Sequence, residues 1–164
     1  MAYLSATALA DGDPGFIAAI TRSRRMLNRR ALAAAVAGVV PIPGLDWAVD
    51  AALLSQLLPK INAEFGLSPE QLDRLDPGAR EHVQKAIAMV GTLLVGKFIT
   101  KDLVFKAAKM IGMRLSAAQA AKFVPLAGQA VSAMMGYAAI RYLGEEHIKD
   151  CVRVARVAQL QISA

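Results

Sequence analysis

Residues 13–30 read Asp13-Pro14-Gly15-Phe16-Ile17-Ala18-Ala19-Ile20-Thr21-Arg22-Ser23-Arg24-Arg25-Met26-Leu27-Asn28-Arg29-Arg30, and this stretch decides the class of fold. Asp13 is a capping residue. Pro14 stands at the first helical position, where the N–H that proline lacks would have no partner in any case. Beyond it Phe16, Ile17, Ile20, Met26 and Leu27, with Ser23 between, return at helical spacing. Arg22, Arg25 and Arg29 share the opposite stripe, with Arg24 and Arg30 beside it.

Downstream the composition switches abruptly. Residues 31–45 carry no charge and end in Val40-Pro41-Ile42-Pro43-Gly44, where two prolines flanking one residue stop the helix and a new one begins. That next helix is expected over residues 45–64, with Val49, Leu53, Leu54, Leu57, Leu58 and Ile61 on its apolar face. Pro59 is a point at which it can bend, and Gly66 suits a C-terminal cap. Ser68-Pro69-Glu70-Gln71 reads as a capping box opening a short helix through Leu75, and Asp76-Pro77 repeats the start signal for a helix to Ile99. Further helices are expected over 101–111, capped by Thr100, and over 117–124, capped by Ser116 and stopped by Pro125. Residues 126–160 then form one long helix or two. No run alternates with period two, and no Asn-Gly or Asp-Gly hairpin joins apolar runs. The expectation is therefore all-α: a compact multi-helix bundle, with 1–13 a flexible N-terminus and 14–164 a single helical domain.

One pattern occurs twice. Val40-Pro41-Ile42-Pro43-Gly44 and Val124-Pro125-Leu126-Ala127-Gly128 share Val-Pro-aliphatic-x-Gly, each before a helix rich in small residues. Two ordinary helix breaks account for this, and so do two apolar helical hairpins broken at Pro-Gly and packed as a pair. The second arrangement makes Pro41, Pro43, Gly44, Asp46, Asp50, Pro125 and Gly128 a structural hairpin motif.

Composition narrows the function. The chain has 164 residues, 55% hydrophobic but only 5% aromatic, with 20% charged and a net charge of +6; mean hydropathy is +0.40. That much apolar surface excludes disorder, and the single Cys151 excludes a disulfide scaffold. With one thiol and no basic segment before the mildly apolar residues 3–10, a reducing cytoplasm is the expected compartment. The charge is uneven: residues 1–40 sum to +3, residues 41–80 to −3 and residues 81–164 to +6. A basic balance favours anionic partners, lipid or nucleic acid. The cluster lacks interleaved aromatics and any reader motif, so nucleic acid is not the expected partner.

Catalytic and metal motifs are weak. Gly91-Thr92-Leu93-Leu94-Val95-Gly96-Lys97 imitates a phosphate loop, but Phe98 occupies the hydroxyl position and no strand precedes it. Asp46 and Asp50 share a helix face, which fits a helix-dipole contact and an ion pair better than an acid–base pair. His147 and Cys151, four apart, supply two donors where zinc needs three or four, with His82 the other soft donor. A Cys–His nucleophile pair lacks a visible orienting group. No enzyme activity, cofactor or metal is expected. Arg22, Arg24, Arg25, Arg29 and Arg30 are the lipid-binding candidates: they precede the uncharged segment, so the helix can hold anionic head groups while the apolar part touches the bilayer. Lys97, Lys101, Lys106 and Lys109 add a second basic edge. The longest uncharged run, 123–140, reaches the 18-residue threshold for a span but contains Pro125 and many small residues. Integral insertion is left open.

Val39-Val40-Pro41-Ile42-Pro43-Gly44-Leu45-Asp46, followed by Asp50 and Phe65-Gly66-Leu67-Ser68, resembles the helical domain of immunity-related GTPases and the related domain of YcjF-type bacterial membrane proteins. Lys122-Phe123-Val124-Pro125-Leu126-Ala127-Gly128, through Tyr137 and Arg141 to Arg153-Val154, is similar to the C-terminal part of EcsC-type proteins. The resemblance covers residues 30–160. It implies an α-helical domain that associates with membranes or with a partner GTPase, and it carries over no catalytic residues. The GTPase half has no counterpart here, so nucleotide chemistry would come from another chain.

The expectation is a non-enzymatic, membrane-associated helical domain at the inner face of the cytoplasmic membrane, meeting anionic lipid through its basic helix. The alternatives are a soluble interaction module for a partner GTPase, and a bilayer-acting toxin or its immunity protein. Self-association stays open.

Overall fold

Asp13 Oδ1 accepts the N–H of Phe16 at 3.0 Å and starts α2, Pro14–Ala37. The structure, a computed structural model, describes residues 5–37, 45–90 and 125–162. Ahead of α2 lies a one-turn helix, α1, at Ala6–Leu9, capped by Ser5 Oγ accepting from Ala8 N–H at 3.1 Å. Then follow α3 at Leu45–Glu64, α4 at Pro69–Leu72, α5 at Pro77–Val90 and α6 at Pro125–Val157. Among the described residues every regular element is helical, so the fold is an all-α bundle.

The start signals act as the sequence predicts. Ser68 and Gln71 form a complete capping box with Pro69 at the first turn of α4. Asp76 Oδ1 accepts from Ala79 N–H at 3.0 Å before Pro77 opens α5. At the far end of α3, Leu67 donates to Asn62 O at 2.9 Å and Gly66 to Ala63 O at 3.2 Å. This pair of bonds requires a left-handed residue, and Gly66 supplies it at φ +70°. The end of α6 repeats the device with Leu160 donating to Ala155 O and Gln159 to Arg156 O, but here a side chain sits at φ +56°. α3 continues through Pro59, and residues 126–157 lie on one helix, not two.

The chain divides into two compact units. Met1–Met26, Leu58–Phe98 and Glu145–Ala164 make up the first, and Leu27–Leu57 with Ile99–Gly144 the second. Both units bury apolar residues, and the first draws on elements along much of the chain. Its core gathers Phe16, Ala19 and Ile20 of α2, Leu58 and Ile61 of α3, Val83 and Ala86 of α5, and Ile148, Val152, Val154 and Ala155 of α6, with Phe65 and Leu67 between elements. Within residues 5–13, Ala6 and Ala10 are buried, and Arg156 donates to Leu9 O at 2.5 Å and to Asp11 at 3.2 Å. In the second unit Leu27, Ala31, Leu54, Leu57 and Ile140 are buried. There Leu27 packs on Gly144 and Arg141 bonds Asn28 Oδ1, so α2 and α6 run antiparallel. No helix among the described residues is long and apolar enough to cross a membrane.

Candidate functional site

The five candidate arginines of α2 divide into two kinds. Arg22 Nε bonds Glu64 at 2.6 Å. Arg24 grips Glu145 through two nitrogens, Nε at 3.0 Å and the terminal Nη2, and adds Thr7 Oγ1 at 3.0 Å. The bond to Glu145 raises the Arg24 pKa, the sign of a guanidinium stabilised as a cation by its partner. These two side chains join α2 to α3, α6 and the N-terminal turn. Arg25 and Arg29 are exposed and Arg30 half-buried, and the three have no ion-pair partner among the described residues. Arg25 and Arg29 lie four apart on α2, hence on one stripe.

The hairpin candidates stand differently. Pro41, Pro43 and Gly44 lie outside the described residues, as do the phosphate-loop imitation with Phe98 and the lysines at 97, 101, 106 and 109. Asp46 and Asp50 are on α3, Pro125 opens α6 and Gly128 is in its first turn, while their side chains fall outside the description. The two-hairpin arrangement and the 123–140 run as a whole share that limit.

The structure assembles one polar cluster that sequence spacing only half revealed. His147 and Cys151, one turn apart on α6, meet Asn62 of α3 in the core of the first unit. His147 Nε2 is 2.9 Å from Asn62 Oδ1, Cys151 Sγ 3.3 Å from the same oxygen, and Sγ 3.6 Å from Nε2. An amide oxygen has two lone pairs, so Asn62 can accept from both the ring N–H and the thiol. That bonding places the His147 proton on Nε2 and leaves Nδ1 without a hydrogen bond. Burial lowers the His147 pKa to about 4, with the Leu58 backbone acting in the opposite direction. Burial, and then the nearby charge of Asp150, raises the Cys151 thiol well above its ordinary range.

This chemistry is not that of a nucleophile. A thiol–imidazole pair works when the thiol meets one ring nitrogen and an orienting group holds the other. Here Cys151 and Asn62 meet the same nitrogen, and the thiol is protonated. The cluster also offers only two strong metal donors, and His82 is exposed on α5. No group of three His, Cys, Asp or Glu among the described residues is placed to hold a metal ion.

Sequence reasoning missed Asn62, although a signal existed: it follows Leu58 by four, on the apolar stripe of α3, where a polar residue needs a buried partner. Glu64 and Glu145 were missed as partners of the arginines, and no local signal links positions 42 and 121 residues apart. Compared with protein-family models, curated proteins and solved structures, the chain finds no match.

Proposed function

We propose that this protein is a non-catalytic helical module that docks peripherally on an anionic membrane surface, at its cytoplasmic face, through the exposed arginines of α2. One observation carries the reading: Arg25 and Arg29 share an exposed stripe, whereas Arg22 and Arg24 are already neutralised within the fold. A guanidinium already bonded to a carboxylate of the fold is less available to lipid phosphate than one that faces water unpaired. The net charge of +6 acts in the same direction by raising the protein's concentration near an anionic surface. Lipid contact therefore falls to Arg25, Arg29 and Arg30 rather than to all five arginines.

Flotation with vesicles of phosphatidylcholine and phosphatidylglycerol tests this. Each basic residue near such a surface contributes about 1 kcal/mol, so Arg25→Gln with Arg29→Gln is expected to weaken binding roughly 30-fold. Unchanged flotation of the double variant would overturn the assignment.

A further inference from the structure

We propose that the His147–Asn62–Cys151 junction is an acid-released latch between α3 and α6 of the first unit: a proton on His147 breaks the junction and loosens the packing of the two helices around it. The proposal stands on where the groups lie. His147 is 2% exposed, Asn62 and Cys151 are fully buried, and one amide oxygen holds both α6 side chains to α3. Around them on the two helices are the buried Leu58 and Ile61 of α3 and Ile148 and Val152 of α6. A neutral ring needs only its bond to Asn62 here, because an unbonded ring nitrogen carries no charge. A charged ring needs more, because a buried cation requires an opposite charge or full hydrogen bonding.

No opposite charge is at hand. On α6, Glu145 is held by Arg24, Glu146 by Lys149 and Asp150 by Arg153, and Cys151 is a protonated thiol. On α3, Lys60 is exposed and Glu64 is held by Arg22. On α2, the buried Ser23 is neutral, and Asp13 caps the helix at its start. Elsewhere in the unit, Asp11 pairs with Arg156, Asp73 with Arg80 and Glu81 with Lys85, while Glu70, Asp76 and His82 are exposed. Among the described residues no carboxylate lies within ion-pair distance of His147. Protonation is then relieved by opening the site to water, and opening separates α3 from α6 at their shared polar contact. Consistent with this, burial holds the ring neutral down to about pH 4 in the closed form.

Amide hydrogen exchange of the full chain between pH 7.5 and 4.5, corrected for the intrinsic pH dependence of exchange, reads the latch directly. Protection over residues 58–62 and 147–151 is expected to fall at least tenfold more than protection over α4. His147→Gln, which keeps a side-chain donor for Asn62, is expected to lose this acid-specific component while matching the parent at pH 7.5. Retained protection in the parent at pH 4.5, or the same acid loss in the variant, would overturn the proposal. If the variant does not fold, the His147 ring C–H resonance of the parent decides: a ring that protonates above pH 6 with the protection pattern unchanged refutes the latch, and one that protonates only as protection is lost supports it.

Discussion

Asn62 shows how much one side chain can decide in an apolar core. It ends a run of buried positions on α3, and its single oxygen joins two side chains from α6. The same burial gives the residue a pH signature. A histidine whose folded pKa lies near 4 against about 6.5 unfolded binds its proton more readily in the unfolded chain, so stability is full above pH 6.5 and is lost as pH falls toward 4. At 1.36 kcal/mol per pH unit the loss approaches about 3 kcal/mol. Urea denaturation at pH 7.5 and at pH 4.5 is expected to show most of it in the parent and little in His147→Gln. A second residue-scale test concerns Gln159, which holds a left-handed backbone at the cap of α6. Gln159→Gly should raise stability by about 1 kcal/mol in thermal melts, because glycine adopts that conformation without penalty.

At the scale of elements, the helix starts were legible because a cap is local. Asp13, Ser68 and Asp76 each bond a backbone N–H three residues on, and a reader of the sequence needs no tertiary information to expect it. Ser68→Ala is expected to cost about 1 kcal/mol, measured by denaturation, since the box satisfies two donors that would otherwise be orphaned. Gly66 was legible for the same reason, whereas the one-turn α1 was not. A single turn has little propensity of its own, and its buried alanines and the contacts of Leu9 and Asp11 with Arg156 are tertiary. Gly144 belongs here too. A Cβ at this position would run into the buried Leu27 side chain. Alanine in a helix gains up to about 1 kcal/mol over glycine, but crowding a packed core costs about 1–3 kcal/mol. Gly144→Ala should therefore lower the melting temperature despite its better helix propensity.

For the whole molecule, the class of fold was written in the periodicity of residues 13–30, but the use of the arginines was not. Charge patterning placed five of them near one face of α2. It could not show that Glu64 and Glu145 return from distant sequence to hold Arg22 and Arg24. The His147–Cys151 spacing was similarly visible, whereas Asn62 stood out only as a polar residue on the apolar stripe of α3, with nothing local to link it to α6. The division of labour among the arginines makes a paired prediction. Arg24→Gln should cost up to about 1 kcal/mol of stability and leave vesicle binding intact, whereas Arg25→Gln should do the reverse. Thermal melts and vesicle flotation on the same two variants separate the roles.

The most direct measurement is co-sedimentation of the parent chain with anionic and with neutral vesicles, across a range of salt. The account predicts binding to the anionic vesicles that weakens steadily as salt screens the arginines, and little binding to neutral ones. Equal binding to both, or none to the anionic vesicles at low salt, would contradict it.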